Sequence, residues 1–472
     1  MRHSLWLSIL VAGLAGSLAA ACHSDVALGG PNTLVRVEHE PIGPNCPTGG
    51  VSIHTGLDDD GDTFLDDDEI TSTQLVCNGS TTVQCAGGNV LTGTIAVRVA
   101  ADWAQLDGIN CIAGELMIAG LASTTIPARP DLQIVTGDLV IAGNTELTTL
   151  AGLRGLREVG GTYLVQGNDA LVDIAAIGGV KRVGGIQLIG NDALTDLAGL
   201  STLTDIDASL SISNNAGLTS LAGLDNLRTT TRTISIRANQ GLTSLDALAN
   251  LRQAQLIEIS GNEALASIAL PSLKKVDVRL QILTNAKLVE VSLPALSTIG
   301  DFVRFDGNPA LRRVDMPVLL TLGGLQVSNA NLLEVVNAPS LVFATTTVQL
   351  INLPRLHTLA LDSLTSIGDA LVLNTLADLS TLAGLARLQS IGGAFSVLMT
   401  GSLRDFTGLG ALESVSGAMA VSNNAQLRSF AGLGKLTEVG GDLTITANPL
   451  LPASTSQAFA QRLLVRGALT IR

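Results

Sequence analysis

From about residue 112 onward, the apolar positions of the chain fall into a repeating pattern. Short alternating runs such as Leu139-Val140-Ile141, Leu210-Ser211-Ile212, Leu280-Gln281-Ile282 and Leu443-Thr444-Ile445 have the period of two that sends alternate side chains to opposite faces of a strand. Each run is followed by an Asn with a Leu three places on. The pair returns at Asn144, Asn168, Asn191, Asn215, Asn239, Asn262, Asn285, Asn308 and Asn329 in steps of 24, 23, 24, 24, 23, 23, 23 and 21 residues. It resumes at Asn424 and Asn448, with a weaker register through Asn352, Asn374 and Thr400, which predicts about fourteen coils. One short strand per fixed period predicts a mainly β fold, a parallel β-solenoid over residues 120–448 with strands stacked about 4.8 Å apart. The recurring Asn is expected to turn inward and hydrogen-bond the backbone of neighbouring coils. The Gly-Gly pairs at 160–161, 184–185, 323–324, 392–393 and 440–441 are expected at corners of positive φ.

The repeated pattern Gly-Gly-x-Leu-x-Ile-x-x-Asn-x-x-Leu-x-x-Leu-x-Gly-Leu-x-x-Leu resembles the leucine-rich repeat superfamily, most closely its receptor L-domain type, over about residues 112 to 448. That resemblance implies a right-handed β-solenoid that binds a ligand or partner on its parallel sheet and does not catalyse. A second repeat flavour places Pro271, Pro294, Pro317 and Pro339 where other coils carry Ala-Gly-Leu. Solenoid ends need covers. Residues 85–119, with Trp103, read as an N-terminal cap. Residues 449–472 read as a C-terminal one, in which a helix from Pro452 to Leu464 offers Ala458, Phe459 and Leu463.

Ahead of the array the pattern changes twice. Arg2 and His3, an apolar run from Leu5 to Leu18, and Ala19-Ala20-Ala21 before Cys22 read as an export signal over 1–21. The end of that segment resembles the lipobox of bacterial lipoproteins, which implies lipidation of Cys22; Ala19 stands where the usual Leu would. Cleavage after Ala21 without lipid, or an uncleaved anchor, are the other readings. Residues 22–40 carry no periodicity and are read as a tether. The remaining cysteines, Cys46, Cys77, Cys85 and Cys111, form an even set, as expected of disulfides in an oxidising compartment. Of three pairings, chain order favours Cys46 with Cys77 and Cys85 with Cys111.

Within a small module at 41–80, Asp58, Asp60, Asp62, the Phe64 carbonyl, Asp66 and Glu69 reproduce positions 1, 3, 5, 7, 9 and 12 of an EF-hand loop. Three inward carboxylates, a carbonyl and a closing bidentate Glu would surround one hard cation, so a structural Ca2+ is expected; a solvated acidic loop without metal is the other reading. Thr63 stands at position 6, where the sharp turn wants Gly. The flanks Val51-Ser52-Ile53-His54 and Thr73-Gln74-Leu75-Val76 read as strands, not EF-hand helices. The stretch 39–79 resembles a small disulfide-bonded module of bacterial surface proteins, which implies no enzymatic role.

Composition then narrows the function. With 27 Lys+Arg against 41 Asp+Glu, net charge −14 and 2% aromatics, neither a basic stripe for phosphates nor stacking platforms for bases are expected, so no nucleic-acid partner is. Beyond Cys111 there is no Cys and one His, His357, too little for a Cys-His dyad or a His-based zinc site. Arg237, Glu258, Arg304 and Asp306 are expected to project from the strand face of nearby coils as a candidate ligand site, or simply to form exposed ion pairs. The chain is thus expected to be an outer-membrane or cell-surface lipoprotein. It would serve as a non-catalytic binding or adhesion scaffold for protein or glycan, held at the membrane by its lipid. A carbohydrate-active β-solenoid enzyme and a passive envelope protein are the alternatives.

Overall fold

A computed structural model of the protein describes residues 25–27, 33–40, 50–57, 69–77, 83–85 and 87–472. It divides into two compact units, residues 1–82 and 83–472. The first contains a four-stranded antiparallel sheet of Asp25–Ala27, Thr33–Glu40, Gly50–Leu57 and Ile70–Cys77, paired in chain order. The expected flanking strands are present. Residues 33–40, read as tether, are instead a full strand in register with Gly50–Leu57, from Thr33 opposite Leu57 to Glu40 opposite Gly50. The sequence Thr-Leu-Val-Arg-Val-Glu-His-Glu does alternate, over a stretch short enough to escape notice. Cys22, Cys46 and the loop acids from Asp58 to Asp66, with Phe64, lie outside the described residues.

The second unit is a β-solenoid of seventeen coils, not fourteen. The Asn register undercounts because coils at both ends lack the Asn. Ile95–Val97 and Leu116–Ala119, assigned to a cap, already pair in the front sheet. The last front strand, Leu469–Ile471, pairs with Leu443–Thr446. Each coil contributes a front strand, a two- or three-residue corner strand just before it, and a return. Front strands stack in parallel and in step, Leu116 beside Leu139, Tyr163, Ile186, Leu210 and Ile234 in successive coils. Alternation then does the rest. Leu139 and Ile141 point into the rod with Val135, Leu147, Leu150, Leu153 and Leu156 and are fully buried, while Val140 and Ala142 face out. Among the described residues no helix is long and apolar enough to cross a membrane.

The corner after each front strand is held by an amide ladder. Asn144, Asn168, Asn191, Asn215, Asn239, Asn262, Asn285 and Asn308 have no exposed surface. Asn191 shows the pattern. Its Oδ1 accepts the Asn168 N–H and Nδ2, both at 3.2 Å, and its Nδ2 donates to the Val165 carbonyl at 3.0 Å and to Asn215 Oδ1 at 3.2 Å. The ladder stops after Asn308. The next three positions are Ala330, Leu353 and Leu376, all buried, and it restarts as Thr400, Asn424 and Asn448. Asn329 and Asn352 therefore do not belong to it. They sit one residue earlier, in the left-handed conformation at φ 54° and 56°, and Asn374 ends a front strand.

Positive φ thus lies at the residue before the ladder, as in Gly143, Gly167 and Gly190, and not at the Gly-Gly pairs. Those are small for another reason. A Cβ on Gly323 would lie 1.9 Å from the Asp301 carbonyl oxygen of the preceding coil, and one on Gly184 2.5 Å from that of Gly160. The two repeat flavours are two returns. Coils with Pro271, Pro294, Pro317 or Pro339 precede it with a strand, and Ser267–Ala269, Glu290–Ser292, Arg313–Asp315, Val335–Asn337 and Thr358–Ala360 form a second parallel sheet. Most Ala-Gly-Leu coils make a 3-10 turn there, as at Ala151–Leu153 and Ala383–Leu385. At the far end the helix Ala453–Gln461 buries Phe459, which stacks on Phe430.

Candidate binding surfaces

The front sheet presents two outward rows. In the first, Ser235, Glu258, Gln281, Arg304, Gln326 and Gln349 are neighbours in consecutive coils. In the second, Arg237, Ser260, Leu283, Asp306 and Ser328 are. All four residues singled out from sequence therefore share one face. They resolve into two separate ion pairs, Arg237 with Glu258 and Arg304 with Asp306, the latter at 2.7 Å. Glu258 and Arg304 are two strands apart, about 10 Å, with Gln281 between. Partial burial of Asp306 would raise its pKa, but hydrogen bonds from Ser328 Oγ and Asn329 Nδ2, both 2.8 Å, and from Arg304 outweigh it and hold the carboxyl below its usual range. The acid therefore stays charged near neutral pH. The amides of Gln281, Gln326 and Gln349 remain as hydrogen-bonding groups along the face.

His357 is exposed on a return segment, its Nδ1 3.0 Å from Thr358 Oγ1. The Cys85–Cys111 disulfide is formed, with Cα atoms 5.7 Å apart. It ties the start of the array to the corner strand Cys111–Ala113. Of the expected calcium ligands only Glu69 is described; it is half-buried just before the strand Ile70–Cys77.

A different surface went unnoticed in the sequence. The residue immediately before the corner strand is, in coils four to nine, Arg157, Lys181, Thr204, Arg228, Arg252 and Lys274; the five cations are exposed and Thr204 is half-buried. Backbone bonds keep the row in step. Thr204 donates to the Lys181 carbonyl, Arg228 to Thr204, Arg252 to Arg228 and Lys274 to Arg252, at 2.8 to 2.9 Å. None of these five cations forms an ion pair or side-chain hydrogen bond with the described residues. On the adjoining positions Arg182 is paired with Asp207 and Lys275 with Asp277, and Asp205 accepts from Thr204 and Thr229. Burial and the nearby Asp205 raise the Asp207 pKa despite Arg182. The expectation that this acidic chain has no basic stripe fails here. The signal was Leu or Val followed by Lys or Arg, recurring at the coil period.

Residues 32–77 match a family described as a domain of unknown function, DUF7151. No curated protein matches the chain. Among solved structures it is similar to a TLR13–ssRNA13 complex at 13% identity, covering 81% of this chain and 73% of that one with a TM-score of 0.19. At that score the two backbones do not superpose as wholes, and nothing about ligand follows.

Proposed function

We propose that the protein is an exported, lipid-anchored binding or adhesion scaffold of the cell surface. Its front sheet takes a protein or glycan partner and performs no chemistry on it. The observation that carries this reading is the front face itself, seventeen strands in step bearing amides and hydroxyls, with charges already paired within the chain. Such a face offers a partner directional hydrogen bonds over a rigid, extended surface. The disulfide supports an oxidising compartment, and the apolar segment ending at Cys22 supports the anchor. The mass and membrane partition of the native protein test the address. A diacylated or triacylated Cys22 is expected, and an unmodified chain would overturn the anchor. A glycan screen with Arg237→Ala, Glu258→Ala, Arg304→Ala and Asp306→Ala tests the face. Binding lost without turnover is the expected result, whereas turnover abolished by these changes would mark an enzyme.

Calcium belongs to the same proposal as a structural ion. Residues 58–69 link two strands that pair up to the mouth of the loop, with Gly56 opposite Ile70, so the acids are gathered on a short connection. A bound cation would relieve their repulsion. Chelation is expected to lower the melting temperature of the first unit and leave the array unchanged; equal melting with and without chelator would remove calcium from the account.

A further inference from the structure

The exposed basic row stands apart from the front face and from the reading of that face. We propose that Arg157, Lys181, Arg228, Arg252 and Lys274 form a binding site for a linear acidic polysaccharide lying along coils four to nine. Three features define the ligand. The row is one side chain wide and advances about 4.8 Å per coil, so it fits a thread with regularly spaced anionic groups better than a planar membrane surface. Its cations have no carboxylate partners among the described residues, and no acid enters the row again until Glu413, which follows through the continuous chain of Ser297, Leu320, Val342, Thr365 and Gln389. Beside it lie groups suited to sugar hydroxyls, not to bases. Asn226 and Asn250 precede Arg228 and Arg252 by two residues and donate through Nδ2 to the Ser201 and Asp225 carbonyls, which leaves their Oδ1 atoms as acceptors. Thr229 and Gln253, which follow the two arginines, donate to Asp205 and Asp277, and no aromatic ring is among them. Single-stranded nucleic acid would call for stacking rings.

The rest of the molecule sharpens the site. At net charge −14 the chain as a whole repels polyanions, which confines attraction to places where unpaired cations stand on neighbouring coils. Among the described residues Arg404 and Arg428 make only a pair, whereas this row carries five cations over six coils.

The test measures binding of the full chain to polygalacturonate across a salt series, beside neutral dextran and a deoxycytidylate oligonucleotide. Arg228→Glu, Arg252→Glu and Lys274→Glu are combined in one variant. Arg355→Glu, Arg387→Glu and Arg428→Glu, three exposed cations off the row, make a second variant with the same charge change. Circular dichroism checks that both fold. The row variant is expected to weaken polygalacturonate binding at least about tenfold and to flatten its salt dependence by about half, because three of five charge contacts are reversed. The off-row variant should bind as the unaltered chain does. Equal loss in both variants, equal binding of dextran, or no binding by the unaltered chain would each overturn the site. Tighter binding of the oligonucleotide than of the polyuronate would overturn the ligand class.

Discussion

At the residue scale, the same amino acid serves two purposes one position apart. Asn at the ladder is kept by its amide, which both accepts from one coil and donates to another. Asn at the residue before is kept by tolerance of the left-handed backbone. In Asn214-Asn215 and Asn423-Asn424 both occur together. Where Ala330 and Leu353 replace the ladder Asn, only the left-handed one remains, and spacing alone cannot separate the two roles. Leu at the inner position is tolerated because its neighbours are apolar as well. Inside the amide run it is not. Asn191→Leu would strand the Asn168 N–H and the Val165 carbonyl, a loss of about 2–4 kcal/mol. Long repeat arrays need not unfold in one step, so hydrogen exchange is the appropriate readout, with the Asn168 amide expected to exchange on the order of 100-fold faster. The opposite case is Thr230, whose hydroxyl is buried without a partner between Ile206 and the next coil. Thr230→Val is expected to leave the structure intact and to raise local stability by about 1 kcal/mol, read from the exchange of the surrounding coils.

At the scale of the element, strand positions were legible and return conformations were not. Alternation marks a front strand wherever Leu-x-Ile appears, because the inward face is apolar in every coil. The return offers no such contrast. Both flavours bury their Leu residues, and Leu153 and Leu273 close the same turn, donating to the Leu150 and Leu270 carbonyls at 2.9 and 3.2 Å. The difference lies in how near the turn comes to the previous coil. Gly384 approaches so closely that a Cβ would meet the Leu359 carbonyl oxygen at 1.8 Å, whereas Ser272 occupies the matching place in a Pro coil. Gly384→Ala is accordingly expected to cost more than about 2 kcal/mol by forcing the coils apart, with faster exchange in coils twelve to fourteen as its sign. Ser272→Ala should be nearly neutral. The basic row escaped notice for a related reason. Composition counts cations over the whole chain, but the fold brings together those a coil apart.

At the scale of the molecule, the array spans roughly 75–80 Å along its axis, and its ends are closed differently. The helix Ala453–Gln461 covers one end with Phe459. Near the other, the chain relies on a covalent bond that closes a loop with a separation of 26 residues. Constraint of the unfolded loop contributes about 3 kcal/mol, so Cys85→Ser with Cys111→Ser is expected to melt the first coils well before the rest. Unchanged protection of the Ile95 and Leu116 strands in exchange measurements would show the bond to be dispensable.

The amide ladder also bears on how the chain can change in length. From Asn144 to Asn308 every rung asks the same of its two neighbours, so these coils are interchangeable parts. Losing residues 192–215 would let Asn191 take over the contacts of Asn215 and shorten the rod by one layer with no rung left over. The same excision would remove Thr204 and set Lys181 against Arg228, joining the two halves of the basic row. Unequal recombination can therefore lengthen or trim this half in single steps. Beyond Ala330 the rungs change from apolar, at Ala330, Leu353 and Leu376, back to Thr400, Asn424 and Asn448, so an excision there that joins unlike rungs would leave an amide without its partner.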